Sequence, residues 1–454
     1  MATTKFLNRP GSSEKECLDP QAMVDGINKY IQDLENRTQL KSTAGYLRLV
    51  VKNIEQAIHA RDNGNFCALH STQIPTELFS PLGITPLCSE LYSTIAGIVS
   101  DANQEFLAIS DEISFHCGNC SYYRTCYGMV EAGAWPAPDF VVYSSSPCDQ
   151  APKGLEMAAR CLGVPSFGLD RPHGIFTPQA MGYWLKEHEA LIRFLEEQTG
   201  RRMDYDLLKE VVWLSYRATQ VYMEINELRR AIPSPLPAEA AFAPMAVYRA
   251  WAGTQLAIDF LEKLRDEMKE RVARGIGAVA QEKFRYICAT SLPLFDSRIM
   301  TEMERRHGAV NVMDHLQWWR EDADWLMDPE DPVASLAYRI QFGMANSLHN
   351  SAMDEAEEVR LAALKCRADG VLYFNNLGCR HSAGGYRIVK DTIGRSLDLP
   401  WATIDCDLLD KSFTTFEAVM GQLDVFFEEI EKSRPYRERT RQRGLQAGEK
   451  MATT

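Results

Sequence analysis

Two stretches of the chain share one plan. Residues 137–170 read APDFVVYSSSPCDQAPKGLEMAARCLGVPSFGLD, and residues 368–407 read ADGVLYFNNLGCRHSAGGYRIVKDTIGRSLDLPWATIDCD. Each gives a short β-rich apolar run, a loop with a cysteine, a helical stretch, a second short strand and an acidic residue. In the first, Asp139 precedes the strand, Cys148 follows it, and Pro165 leads to Asp170. In the second, Asp369, Cys379, Pro400 and Asp405 take those places. Asp to Cys is 9 residues in one and 10 in the other, Cys to Pro 17 against 21, and Pro to the closing Asp 5 in both. Apolar runs this short suit strands buried on both faces of a parallel sheet. Each half then sets one cysteine at a strand's carboxyl end, where open parallel sheets bind ligands.

Working outward, "MVDGINKYIQDLEN" and "YLRLVVKNIEQAIHA" carry the three-to-four-residue apolar spacing of helices. A short apolar segment, "NFCALHS", and the Pro- and Gly-punctuated "IPTELFSPLGITPLCSELY" follow them. Between the repeats, residues 178–274 read as helical. "MGYWLKEHEALIRFLEEQTG" and "LAIDFLEKLRDEMKERVARG" are amphipathic, with Gly just past each end. "KFRYICATSLPLFD" and "RHGAVNVMD" restart the strand–helix–strand rhythm, and "DPEDPVASLAYRI" begins a helix behind a turn. The fold class expected is α/β, two similar Rossmann-like parallel-sheet domains with a helical domain between or beside them. The expected bounds are a helical arm (1–60), a first α/β domain (61–177), a helical region (178–277), a second α/β domain (278–432) and a basic tail (433–454). The five arginines of "KSRPYRERTRQRG" are read as hanging in solvent.

At 454 residues the chain exceeds one ordinary core. A formal net charge of -13 argues against a protein whose work is gripping nucleic acid. "MATTKFLNRPGSSEKECLDP" has no apolar signal region, and no run approaches the roughly 18 apolar residues of a membrane span. A cytoplasmic protein is expected. There, twelve cysteines point to metal or redox chemistry before disulfides.

Their densest group is Cys117, Cys120 and Cys126, in "ISFHCGNCSYYRTCYGMVEAG". A zinc site wants four ligands, often two CxxC pairs, and only one such pair, Cys117 and Cys120, stands here. A thioredoxin-like couple wants CxxC between a strand and a helix, which "DEISFH" supplies poorly. Iron–sulfur ligation wants thiolates converging from several loops, as Cys120, Cys148 and Cys379 could, each favoured by a helix start. All three readings stay open on the residues alone, beside purely structural thiols. Cys161 and Cys366 lie at helical spacing and Cys288 and Cys406 in strands, where packing as small hydrophobes is expected. Cys67 and Cys88 are undecided.

"CSYYR", "PAPDFVVYSSSPCD", "ADGVLYFNNLGCRHSAGG" and "LPWATIDCDLLD" resemble the 2-hydroxyacyl-CoA dehydratase family, which includes the class I benzoyl-CoA reductase subunits. The likeness runs in order over residues 74–430. It implies a [4Fe-4S] cluster held by Cys120, Cys148 and Cys379, with one iron lacking a protein ligand and open to a substrate oxygen. It also implies oxygen-sensitive radical chemistry, in which one low-potential electron turns a CoA thioester into a ketyl radical, for dehydration or ring reduction. A related second subunit, forming a heterodimer, and an ATP-dependent iron–sulfur activator are the partners implied. No phosphate-binding GxxxxGK[ST] occurs in this chain, and "RGIGAVA" lacks a third glycine. The chain departs from the family in "SAGGYR", where Gly385 and Tyr386 replace a frequent Gln.

The surplus cysteines Cys67, Cys117 and Cys126 suggest an alternative relative, a double-cubane [8Fe-9S] protein that reduces small molecules. Two further alternatives are a non-catalytic partner that carries a cluster and an iron-free zinc or thiol protein. Ser121, Tyr122, Arg124, Arg380 and His381, beside the proposed ligands, are candidate substrate contacts. His381 is read alternatively as a histidine hydrogen-bonded near the site, and Asp149 as a helix cap.

Overall fold

The computed structural model describes residues 20–100, 102–112, 115, 118–172, 177–319, 327–328, 330–343 and 351–452, leaving aside the side chains of residue 100 and of 435–452. Helices α1 (Pro20–Arg37) and α2 (Gly45–Ile58) each bury one apolar stripe, Ile27, Ile31 and Leu34 in one and Leu47, Val50 and Ile54 in the other. Then come β1 (Phe66–His70), β2 (Ile84–Cys88), α3 (Ser89–Ser100), α4 (Asn103–Glu112), α5 (Ser121–Glu131), β3 (Phe140–Ser144), α6 (Gln150–Leu162) and β4 (Ser166–Leu169). Four helices follow: α7 (Pro178–Thr199), α8 (Tyr205–Leu228), α9 (Ala243–Trp251) and α10 (Gln255–Ala273). The last part holds β5 (Phe284–Cys288), α11 (Arg298–His307), β6 (Ala309–Asp314), α12 (Pro332–Phe342), α13 (Ala352–Lys365), β7 (Gly370–Asn376), α14 (Arg380–Leu397), β8 (Trp401–Cys406) and α15 (Phe416–Ala452).

The strands form two parallel sheets of the same order, β2-β1-β3-β4 and β6-β5-β7-β8. This is the α/β architecture of two Rossmann-like units that the repeat predicted. The repeated residues carry matching hydrogen bonds. Asp139 N–H donates to the Cys67 carbonyl (2.7 Å) and its carboxylate accepts from Cys67 N–H (2.8 Å); Asp369 does the same with Arg285 (2.7 and 3.0 Å). Val141 N–H donates to the Pro165 carbonyl and Val371 N–H to that of Pro400, both at 2.9 Å. An aspartate at the strand start thus clamps the neighbouring strand's register, and a proline, lacking N–H, offers only its carbonyl to the ladder. Each clamp also holds an arginine, Arg61 on Asp139 (2.8 Å) and Arg434 on Asp369 (3.3 Å).

The helices between the sheets start where the sequence signals say. Thr177 Oγ1 accepts from Ala180 N–H (3.1 Å) ahead of Pro178, and Gly200 ends α7 with φ +66°. Trp184 is fully buried and its Nε1 donates to the Ala337 carbonyl (3.0 Å), tying α7 to α12. Tyr222 and Asn226 of α8 donate to the Gln317 carbonyl (3.1 and 2.9 Å), just past β6. The helical layer is thereby anchored to the second sheet's carboxyl end.

Three features differ from the sequence expectations. The turn-rich "GITPLC" contains β2, whose Pro86 is tolerated because β2 lies at the sheet's edge. The basic tail is backbone-helical to Ala452 as part of α15, and its first arginine, the half-buried Arg434, donates to the Lys283 carbonyl (2.6 Å), while the side chains of the other four lie outside the described residues. Cys161 is exposed on α6, with its sulfur 3.0 Å from the Tyr127 hydroxyl, so it is not a core residue. Cys288, Cys366 and Cys406 are buried as expected.

Candidate metal centre

Each of the three proposed ligands stands where a helix begins. Cys120 is the N-cap of α5, Cys379 is the N-cap of α14, and Cys148 lies two residues before α6. Cys379 and Cys148 arrive on the loops after the equivalent strands β7 and β3. Cys120 comes instead on the three-helix insertion between β2 and β3. Two close approaches bring that insertion to the second sheet. A Cβ added at Gly378 would stand 3.0 Å from the Asn119 carbonyl oxygen and 2.8 Å from Asp407 Oδ2, so only glycine lets the β7–α14 turn lie against the residue before Cys120. On the other side, Ser121 Oγ accepts from Leu409 N–H (3.1 Å), and Asn103 and Gln104 donate to the Leu409 carbonyl (2.7 Å each).

The outcome is one cavity of about 190 Å³ that Cys120, Cys148 and Cys379 all line. Residues at or just beyond the carboxyl ends of seven of the eight strands contribute to it, and α9 closes it with Met245, Ala246 and Arg249. Most of its wall is apolar, including Phe242, Leu316, Phe374 and Leu408.

Burial dominates the ionisation of the three thiols. It pushes Cys120 well above the ordinary thiol range, with the charges of Cys379 and Cys148 adding to the effect. It pushes Cys379 up to about 12, although the Ser382 N–H reaches its sulfur (3.4 Å). It raises Cys148 despite bonds from the Ala151 and Gln150 N–H groups. The helix starts therefore do not by themselves give the thiolates that the sequence reading expected; a cationic metal is the partner that would. Three soft sulfurs reached by backbone N–H groups in an apolar cavity fit iron–sulfur ligation. Among the described residues, no group of three or more His, Cys, Asp or Glu side chains is placed to hold one metal ion. Zinc, with all ligands within about 2.3 Å of one centre, asks for such a group.

The other candidates separate sharply. Tyr122 and His381 line the cavity. Ser121 does not, being spent on Leu409. Arg124, 1% exposed, is spent on Asp111 (2.7 Å) and Asp410 (2.9 Å), and so braces α5 against the second half instead of facing a substrate. Arg380 lies outside the lining and pairs with Asp149 (2.6 Å). That aspartate occupies the N-cap position of α6 but makes no capping bond; its Oδ2 accepts from both Lys153 (2.7 Å) and Arg380. Cys67 lies at the amino end of β1, beside Arg61 and Trp135, in a separate cleft at the far edge of the sheet. Cys126 is buried inside α5 and does not line the cavity; Cys117 lies outside the described residues. Tyr386 bonds Thr403 (2.9 Å), outside the lining.

The cavity also holds residues that sequence reading missed. Cys88, left undecided, ends β2 and lines it. Glu90 is held by Tyr123 Oη (2.8 Å), Thr72 N–H and Oγ1 (3.1 Å each) and Ser89 Oγ (2.6 Å). His315, Glu355 and Arg249 complete the polar wall. A polar residue straight after a strand was the available signal for His315. Glu355 sits in "DEAEE", which reads as a solvated helix face.

Over 338 residues the chain is 24% identical to a benzoyl-CoA reductase subunit of Thauera aromatica, covering 69% of this chain and 77% of that one. It is 23% identical over 396 residues to the (R)-2-hydroxyisocaproyl-CoA dehydratase alpha subunit of Clostridioides difficile, covering 84% and 95%. It is 26% identical over 255 residues to the (R)-phenyllactyl-CoA dehydratase alpha subunit of Clostridium sporogenes, covering 54% and 62%. A model of the 2-hydroxyglutaryl-CoA dehydratase D-component matches residues 71–430, which hold every strand but β1 and all three cavity cysteines, and the chain belongs to that family.

Proposed function

We propose that this chain is the iron–sulfur subunit of an acyl-CoA dehydratase or reductase, and that Cys120, Cys148 and Cys379 hold a [4Fe-4S] cluster. The observation that carries the reading is the meeting of these three cysteines, from distant places in the chain, on one apolar cavity at the facing strand ends. When bound, the cluster supplies a single low-potential electron to the CoA thioester. The chain's own residues do the rest. Phe242, Met245, Phe374 and Leu408 exclude water around the acyl group, which strengthens every polar contact there. Tyr122 is a hydrogen-bond donor at the wall, its hydroxyl kept protonated by burial. Glu90, locked by its four donors, presents a carboxylate of fixed orientation to the substrate.

The relatives are named as subunits, which supports a second subunit as partner; a chain related to this one in that place, and an ATP-dependent activator as the electron source, are part of the proposal. Among the described residues no helix is long and apolar enough to cross a membrane; a cytoplasmic location is part of the proposal.

Anaerobic purification with iron and sulfide analysis tests the reading. About four irons per chain are expected, falling in Cys120→Ala, Cys148→Ala and Cys379→Ala but not in Cys67→Ala or Cys126→Ala. About eight irons would favour the double cubane, and one zinc without iron would sink both. Assays with hydroxyacyl-CoA and benzoyl-CoA, with partner and activator present, separate an enzyme from a companion subunit.

A further inference from the structure

We propose that Glu358, His315 and Glu355 form a relay carrying protons into the cavity, with Glu355 handing them to the substrate. The inference rests on the function proposed above, whose chemistry consumes protons: a hydroxyl leaves as water only when protonated, and a reduced ring gains hydrogen at carbon.

His315 is the first residue after β6, and its side chain is 1% exposed. Glu355 and Glu358, three apart on α13 and so on one helix face, grip its two nitrogens. Nδ1 is 3.6 Å from Glu355 Oε1 and Nε2 is 3.5 Å from Glu358 Oε2. Exposure of the carboxylates rises outward, from 2% at Glu355 to 10% at Glu358. His315 and Glu355 line the cavity, while Glu358 does not. The three therefore step from near the surface to the wall that Cys379 shares. Asp314 also faces His315, and His381, Tyr373 and Cys379 face Glu355. Both relay contacts are slightly longer than hydrogen bonds, as catalytic contacts often are before substrate tightens them.

Ionisation agrees with the geometry. Burial raises the Glu355 carboxyl above the usual range, so it can hold a proton to give. Burial opposes charge on His315, yet Glu358, joined by Glu355 once that carboxyl has given its proton, outweighs it and leaves the imidazole above its ordinary value. In one cycle the Glu355 O–H bond breaks and the substrate gains that hydrogen. The carboxylate left behind takes a proton from Nδ1, Nε2 takes one from Glu358, water refills Glu358, and a flip of the imidazole ring sets its N–H toward Glu355 again before the next cycle. One proton enters from solvent, one leaves on the product, and no electron moves.

The test uses the anaerobic complex with partner and activator. Glu355→Gln should retain its iron and keep KM within about twofold while kcat falls about 100-fold. Glu358→Gln should lose about 10-fold in kcat and show a larger solvent deuterium isotope effect, which a merely structural role would not produce. Infrared difference spectra of the iron-loaded chain at neutral pH need no turnover. They should show a protonated carboxyl band that is absent from Glu355→Gln and displaced in Glu358→Gln. Wild-type kcat in Glu355→Gln at full iron, or no band difference, overturns the relay. A band difference in a complex that turns over no thioester upholds the protonated end of the relay and overturns only the function it was built on.

Discussion

The two halves share a scaffold and divide the chemistry. Both have the same strand order, the same aspartate clamp at the middle strands and one cysteine after the third strand in sequence. They part between their second and third strands. The first half inserts α3, α4 and α5 there and so delivers a third sulfur, Cys120. The second half places α12 and α13 there and delivers carboxylates, Glu355 and Glu358, around His315. The lesson is that the repeated frame supplies the ligand positions common to both halves, and the unequal insertions supply what makes the site asymmetric.

The comparison can be broken most severely at the brace between the insertion and the other half. Arg124→Met strands the buried Asp410 carboxylate, and loss of one partner from a buried pair costs about 3–5 kcal/mol. Urea unfolding should show it, and an unchanged midpoint would return Arg124 to the candidate substrate contacts. Burial raises the Asp410 carboxyl, but bonds from Ser412 and Arg124 hold it below the usual range. The parent chain therefore loses this stabilisation as pH falls through that carboxyl's pKa, and the gap to the variant should narrow.

Next in size are the twin clamps. Asp139→Asn and Asp369→Asn each remove a charge-assisted acceptor from a strand start, at about 1.5–3 kcal/mol. Similar losses in the two variants would support equivalence of the halves; a silent variant in either half would break it. Gly378→Ala is expected to cost about 1–3 kcal/mol by pushing the β7–α14 turn off Asn119. It should also lower iron content, because Cys379 moves with the turn. The smallest effect belongs to Arg380→Ala, which breaks an exposed pair across the two halves. About 0–1 kcal/mol is expected, vanishing at high salt.

The repeat was legible because its residues do backbone work: an aspartate that clamps a register and a proline that spares a donor recur wherever that frame recurs. β2 escaped because Pro86 and Gly83 read as turn residues; Gly83 is indeed the turn before the strand, and only the place of β2 at the sheet's edge makes Pro86 compatible with it. Cys148 and Cys379 could be placed at strand ends by pattern. Cys120 sits on an insertion without a counterpart; the residues offered it as one of a dense cysteine group, and the family resemblance singled it out from Cys117 and Cys126 as a ligand. Ser121 and Arg124 were misjudged because closeness in sequence to a ligand says nothing of which way a helix turns them; α5 aims both at residues 407–410. Glu355 was hidden by composition, since a run of acids on a helix reads as wet until a partner covers it.

One consequence concerns the order in which the molecule can be made. The insertion carrying Cys120 is anchored to Leu409 and Asp410, some 290 positions later in the chain. Contacts of such separation must wait for synthesis and for slow loop closure. A ribosome-bound chain that has emerged only through the first sheet holds two of the three sulfurs and none of the wall opposite them. The pocket is thus among the last parts to assemble, and a protein cut short before Leu409 would hold every wall residue yet lack the anchor that sets Cys120 among them.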